Sequence, residues 1–188
     1  MTESPAPRSA DDPVRSVLFV CTGNVCRSPF AELLLRDRVP GIAVSSRGTY
    51  ALIGQGMEEQ MAGQLAMRGV DSGGFRAQQL EVQDLSADLV LVMSGRQRRL
   101  VLEESPAAAR RTGLLGHLPE LRTQLGDAPL TRGAVAAWTR ASMPGGRDVP
   151  DPYRRSAQAA AQTAEMIQEH VSALAALLQR TGAEGIAR

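Results

Sequence analysis

Cys21, Arg27 and Ser28 lie in one short stretch, SVLFVCTGNVCRSPFAE over 16–32, with five residues between the cysteine and the arginine. Together these residues form the parts of a phosphoryl-transfer site. An apolar strand run ends at the cysteine, and Ser28-Pro29 opens a helical pattern. A loop between a strand and a helix N-terminus aims backbone N–H groups inward, and the helix dipole adds partial positive charge. Such a nest, built here from Thr22, Gly23, Asn24, Val25 and Cys26, binds a tetrahedral oxyanion such as phosphate. Arg27 can clamp two of its oxygens with a planar fork that lysine lacks. Cys21 then sits beneath the anion, where amides and guanidinium favour thiolate over thiol. Ser28 can donate to the sulfur and stabilise it again as a leaving group. Thiolate attack on phosphorus divides one hard hydrolysis into two easier displacements, and this chemistry needs neither a metal nor another cofactor. Asn24 can brace the loop through its amide, with Ser46 as its partner.

At these residues a family resemblance emerges. CTGNVCRSP resembles the signature loop of the low-molecular-weight protein tyrosine phosphatases. SSRGT at 45–49, GVDSGGFRAQQL at 69–80, ADLVLVM at 87–93 and DVPDPY at 148–153 are similar to later segments of the same family. The resemblance spans about 15–180, with extra material between 118 and 148. It implies phosphomonoester hydrolysis through a cysteinyl-phosphate, with a phosphorylated protein, phosphotyrosine first, as substrate. Ester cleavage also needs a proton for the departing oxygen, and one carboxylic acid beside the anion can supply it and then activate water. Asp151-Pro152-Tyr153 resembles the motif that carries this acid, which makes Asp151 the choice; Asp148 is the rival. Cys26 has two readings: buried filler, or, as the resemblance suggests, a disulfide partner that shields Cys21 from over-oxidation.

The specificity wall departs from the family pattern. Leu52 and Ile53 stand where Trp and His are frequent, Arg47 where a small residue is usual, and Phe75 in place of a bracing histidine. Ser94 replaces an aspartate, and Arg154 follows Tyr153 in place of a second aromatic. Val25 is apolar and β-branched like the family's usual Ile, whereas relatives acting on phosphoarginine tend to carry Thr there, which disfavours that substrate. The expected wall is therefore Leu52, Ile53, Tyr153 and Arg154. Two other functions use the same loop. One is a phosphate-binding interaction module with little turnover. The other is arsenate reduction, disfavoured because its thioredoxin-coupled form needs two further cysteines and none follows Cys26.

These groups need a scaffold. Short apolar runs at Ser16–Val20, Ile42–Ser46, Asp88–Met93 and Thr112–Leu115 predict four strands, the first suited to a buried parallel position. Helical patterns follow each: one opened by Ser28 as cap with Pro29 at its first position, Met57–Arg68 stopped by Gly69, a basic helix capped by Ser94, and a long helix from Ser156. In the last, Ala160, Ala164, Ile167, Val171, Leu174 and Leu178 form one apolar stripe. The alternation predicts an α/β fold: a single domain with a four-stranded parallel sheet and helices on both faces, doubly wound and flavodoxin-like. In such folds ligands bind outside the carboxyl ends of the strands, where the Cys21 and Asp151 loops both open.

Composition closes other avenues. The 188 residues suffice for one α/β domain. A formal charge of +1 and six aromatic residues argue against nucleic acid and against an anionic membrane surface. No apolar run reaches membrane-spanning length, and MTESPAPRSADDP has no signal-peptide character. Residues 1–14 read as a disordered lead-in to a domain over 15–182. Two cysteines five apart are no disulfide framework, and a reducing cytoplasm suits a thiolate. The 118–148 insert, with Trp138 and a short helix at Gly133–Arg140, is expected to form a lid, and His117 and His170 are read as surface or structural.

Overall fold

Four parallel strands, β1 (Ser16–Cys21), β2 (Ala43–Gly48), β3 (Leu89–Val92) and β4 (Thr112–Leu114), form one sheet in the order β2-β1-β3-β4. The computed structural model describes residues 9–141 and 147–184, with side chains to residue 180. The helices are α1 (Arg27–Arg38), α2 (Glu59–Ala66), α3 (Gly95–Glu104), α4 (Leu118–Leu125), α5 (Arg132–Arg140) and α6 (Ala157–Glu184). The chain passes from β1 to a neighbour on each side, so the crevice at the carboxyl ends of β1 and β3 is the topological switch point. The β1–β3 pair is buried on both faces, as expected where helices cover both sides of a parallel sheet.

Alternation along β1 creates two cores. Val17, Phe19 and Cys21 face a large cluster with α1, α2 and α6, and Leu18 and Val20 face a smaller one with Val101 of α3 and Ala108. The predicted α6 stripe is buried throughout its length. Among the described residues no helix is long and apolar enough to cross a membrane.

Three expectations need correction. Ser28 does not cap α1: the N-cap is Cys26, without a side-chain hydrogen bond, because the Ser28 hydroxyl is turned to the Cys21 sulfur instead. Ser9–Val14 are no loose lead-in, although 1–8 lie outside the described residues. Val14 is buried and donates its N–H to Leu130 O, and Pro13 bridges Thr131, so the insert holds this segment.

Among its described residues the insert forms no lid over the strand ends. Its two helices extend the larger core past β4, and Trp138 lies 1% exposed against Gly113, where a Cβ would come within 2.1 Å of the indole. Gly113 leaves the space the indole fills. Residues 142–146 of the insert are outside the described residues.

Candidate active site

The loop from β1 to α1 is held open by the segment after β2. Thr49 N–H donates to Cys21 O, Tyr50 N–H to Thr22 O, Leu52 N–H to Gly23 O and Glu58 N–H to Val25 O. With its carbonyls engaged outward, the loop keeps its own N–H groups for the interior. Gly48 makes this approach possible, since a Cβ there would lie 2.6 Å from Thr22 O.

Asn24 has φ 54°, a left-handed conformation that asparagine tolerates better than most residues. Its wholly buried side chain locks that turn: Nδ2 donates to Ser28 Oγ at 3.0 Å and Ser46 Oγ at 2.8 Å, and Oδ1 accepts from Gln78 N–H at 2.8 Å. The chain of bonds continues as Ser46 Oγ donates to Glu32 Oε2 at 2.5 Å. Burial, partly offset by that hydroxyl and by Arg36 and Arg47, pushes the Glu32 carboxyl above its ordinary range. Phe75 replaces the bracing histidine of the family pattern; here Gln78 and Ser46 engage Asn24 directly.

The Cys21 sulfur accepts from Asn24 N–H at 3.3 Å and from Ser28 Oγ–H at 2.9 Å. Cys26, the other free thiol, is pushed upward by burial and then by Glu58, Cys21 and Asp151, so it stays protonated. Arg27 is buried; its Nη1 donates to Val149 O at 3.0 Å and its Nη2 to Asp151 Oδ2 at 2.6 Å. Its Nε is buried with no acceptor among the described residues, an unusual condition for a guanidinium outside a binding site. Asp151 Oδ1 also accepts from Tyr153 N–H.

Cys21, Thr22, Gly23, Val25, Cys26, Arg27 and Asp151 thus line one cavity of about 180 Å³ at the carboxyl end of β1, while Asn24, Ser28 and Ser46 brace it from behind. Asp148 is not in it; its Oδ1 accepts the N–H of Gly95 at the start of α3. His117 is buried inside the protein, and His170 lies in a separate groove between α4 and α6, where burial lowers its pKa.

The wall differs from the sequence expectation. Leu52 and Tyr153 line the cavity, but Ile53 is 72% exposed and does not. Arg154 stacks its guanidinium over the Tyr153 ring at 5.1 Å, and Arg47 pairs with Asp84 away from the cavity. Sequence reading missed Tyr50, which lines the mouth. Its signal was an aromatic residue immediately after SSRGT, in the segment that hydrogen-bonds to the anion loop.

The model of the low molecular weight phosphotyrosine protein phosphatase family matches residues 16–129. The probable low molecular weight protein-tyrosine-phosphatase EpsP of Ralstonia nicotianae is 34% identical over 161 residues, covering 85% of this chain and 93% of its own. Among solved structures, Wzb of Vibrio vulnificus in complex with benzylphosphonate superposes with a TM-score of 0.69 at 28% identity, covering 87% of this chain and 98% of its own. The YwlE arginine phosphatase of Geobacillus stearothermophilus gives 0.71 at 26% identity, covering 92% and 97%.

Proposed function

The chain belongs to the low molecular weight phosphotyrosine protein phosphatase family and is a cysteine-dependent phosphatase, and from that premise we propose that it hydrolyses phosphotyrosine in protein substrates with Cys21 as nucleophile, Arg27 as clamp and Asp151 as acid and base. The observation that carries these roles is one juxtaposition: the Cys21 sulfur under two donors lines the same cavity as the hydrogen-bonded pair of Arg27 and Asp151.

In the first step the sulfur attacks phosphorus, the P–O bond to the tyrosine oxygen breaks, and Asp151 delivers its proton to that oxygen. In the second, Asp151 takes a proton from water as it attacks the cysteinyl-phosphate, and the sulfur leaves as thiolate, stabilised by Ser28. The loop amides and Arg27 bind the equatorial oxygens, where charge is spread in the transition state.

Tyr50, Leu52 and Tyr153 around the mouth suit an aromatic ring above the phosphate. Phosphoarginine is the second reading, motivated by the likeness to YwlE. Val25 favours tyrosine, since it presents an apolar side chain to the cavity where a guanidinium would need a polar partner. A reducing compartment, the cytoplasm, suits a working thiolate.

Turnover of nitrophenyl phosphate tests the mechanism. Cys21→Ser should abolish it while vanadate still binds, and Cys26→Ser should keep substantial activity. Residual turnover in Cys21→Ser would defeat the covalent route. A peptide with phosphoarginine hydrolysed faster than one with phosphotyrosine would reverse the choice of substrate.

A further inference from the structure

A second cavity, of about 230 Å³, adjoins the first and shares Thr22, Arg27, Tyr50 and Asp151 with it. Its remaining lining comes from Thr49 and from the start of α3: Ser94, Arg96, Gln97 and Leu100. We propose that this cavity is a second subsite of the active centre, which takes an oxyanion, carboxylate or phosphate, carried by the substrate within a few residues of its phosphotyrosine. The inference rests on the phosphotyrosine reading and adds the neighbouring anion.

Three features carry it. Arg96 is exposed at the cavity and forms no ion pair among the described residues, so its planar fork is free for an oxyanion. Thr49 Oγ1 is buried in the wall without a hydrogen-bond partner among the described residues. Gln97 fixes a polar floor: buried, it donates Nε2 to Thr22 Oγ1 at 3.1 Å and accepts Met93 N–H on Oε1 at 3.0 Å.

Asp148 is engaged by the Gly95 N–H, and Asp151 pairs with Arg27 before substrate binds and carries a proton, hence no charge, in the proposed first step, which leaves the Arg96 cation as the available charge. Because the cavities meet at Tyr50 and Asp151, a chain whose phosphotyrosine fills the first passes the second as it leaves. Extended residues advance about 3.3 Å each, so a near neighbour reaches it.

The test compares phosphotyrosine peptides that differ only in Glu or Gln at the neighbouring positions, with a third carrying phosphoserine there. For the unaltered enzyme kcat/KM should favour Glu over Gln by about tenfold, the scale of a charge-assisted hydrogen bond. Added salt should shrink that ratio. Arg96→Gln should bring the ratio close to unity, and Arg96→Glu should invert it. Phosphoserine outperforming Glu identifies a second phosphate as the occupant, and Glu at or above phosphoserine identifies a carboxylate; both support the subsite. Equal rates on Glu and Gln peptides, or a preference that survives Arg96→Gln, would overturn it while nitrophenyl phosphate hydrolysis kept the phosphatase reading intact. Absence of turnover on every substrate would instead bring down the reading beneath it.

Discussion

Arg27 Nη2 and Asp151 Oδ2 lie 2.6 Å apart, so the residue that opens α1 is tied to a loop 124 positions later in the chain. Arg27 Nη1 on Val149 O adds a second tie to the same loop. In the proposed roles, clamp and acid are therefore one mechanical unit. Under the proposed mechanism, an oxyanion that engages the guanidinium competes with the Asp151 carboxylate for it, which would free Asp151 to face the leaving oxygen.

Asp151→Asn follows from this pairing. Substrates with poor leaving groups should slow by roughly 10²–10⁴-fold, the range for general acid catalysis, and activated nitrophenyl esters far less. Asp148→Asn, at a side chain that accepts the Gly95 N–H outside the Cys21 cavity, should leave the leaving-group dependence unchanged. Rates on a series of aryl phosphates decide it: equal losses across the series would remove Asp151 from the role.

The wall gives a second expectation. Tyr50, Leu52 and Tyr153 stand at the mouth, where the sequence reading put Leu52, Ile53, Tyr153 and Arg154. An aromatic contact is worth about 0.5–1.5 kcal/mol beyond burial, so Tyr50→Ala or Tyr153→Ala should each weaken phosphotyrosine peptides by up to about tenfold in kcat/KM. Inorganic phosphate inhibition, which needs no ring, should change little. Unchanged peptide kinetics in both variants would place recognition elsewhere.

The geometry of the β1–α1 loop was legible because local sequence determines it: a strand, a turn with Asn24 and a helix start leave few ways to arrange Cys21 and Arg27. The order of the strands and of the other helices followed from hydrophobic period in the same way, but α4 at the start of the insert was not read. What could not be read was tertiary choice. Ser28 had both a cap and a sulfur within reach and satisfies the sulfur. Trp138 looked like a pocket cover because nothing local reveals that Gly113, on a strand before it in the chain, leaves room for an indole. Tyr50 and Ile53 are close in sequence, and only the hydrogen bonds from the 49–52 segment to the anion loop determine which one reaches the cavity.

Glu32 links the site to pH. Burial raises its carboxyl above the ordinary glutamate value of about 4.3. As pH rises from there toward the folded value, the unfolded chain has released a proton that the folded chain still holds. The unfolded state then binds fewer protons, and stability falls with rising pH across that window. Glu32→Gln, which keeps an acceptor for Ser46, should lose this slope. Melting temperatures of both proteins, followed upward from about pH 4, should diverge, with the unaltered chain losing ground as pH increases. A constant offset would mean that the carboxyl titrates alike in both states.

Trp138 and Gly113 offer the most direct test of how the insert is used. The indole is buried against a glycine whose added Cβ would overlap it, at 2.1 Å from Cη2. Trp138→Ala should cost about 3–5 kcal/mol, as large core truncations do. Gly113→Ala should be destabilising as well, because the ring has no room to yield inside the core. With the indole gone, however, the new methyl enters vacated space, so the double variant should be more stable than the sum of the single losses predicts. A coupling of about 0.5–3 kcal/mol is typical of residues in such contact. Denaturant unfolding of the four proteins measures it, and kcat/KM on phosphotyrosine peptides, corrected for the folded fraction, should stay near that of the unaltered chain. Additive losses would contradict the packing, and a selective loss of peptide turnover would return the insert to the pocket.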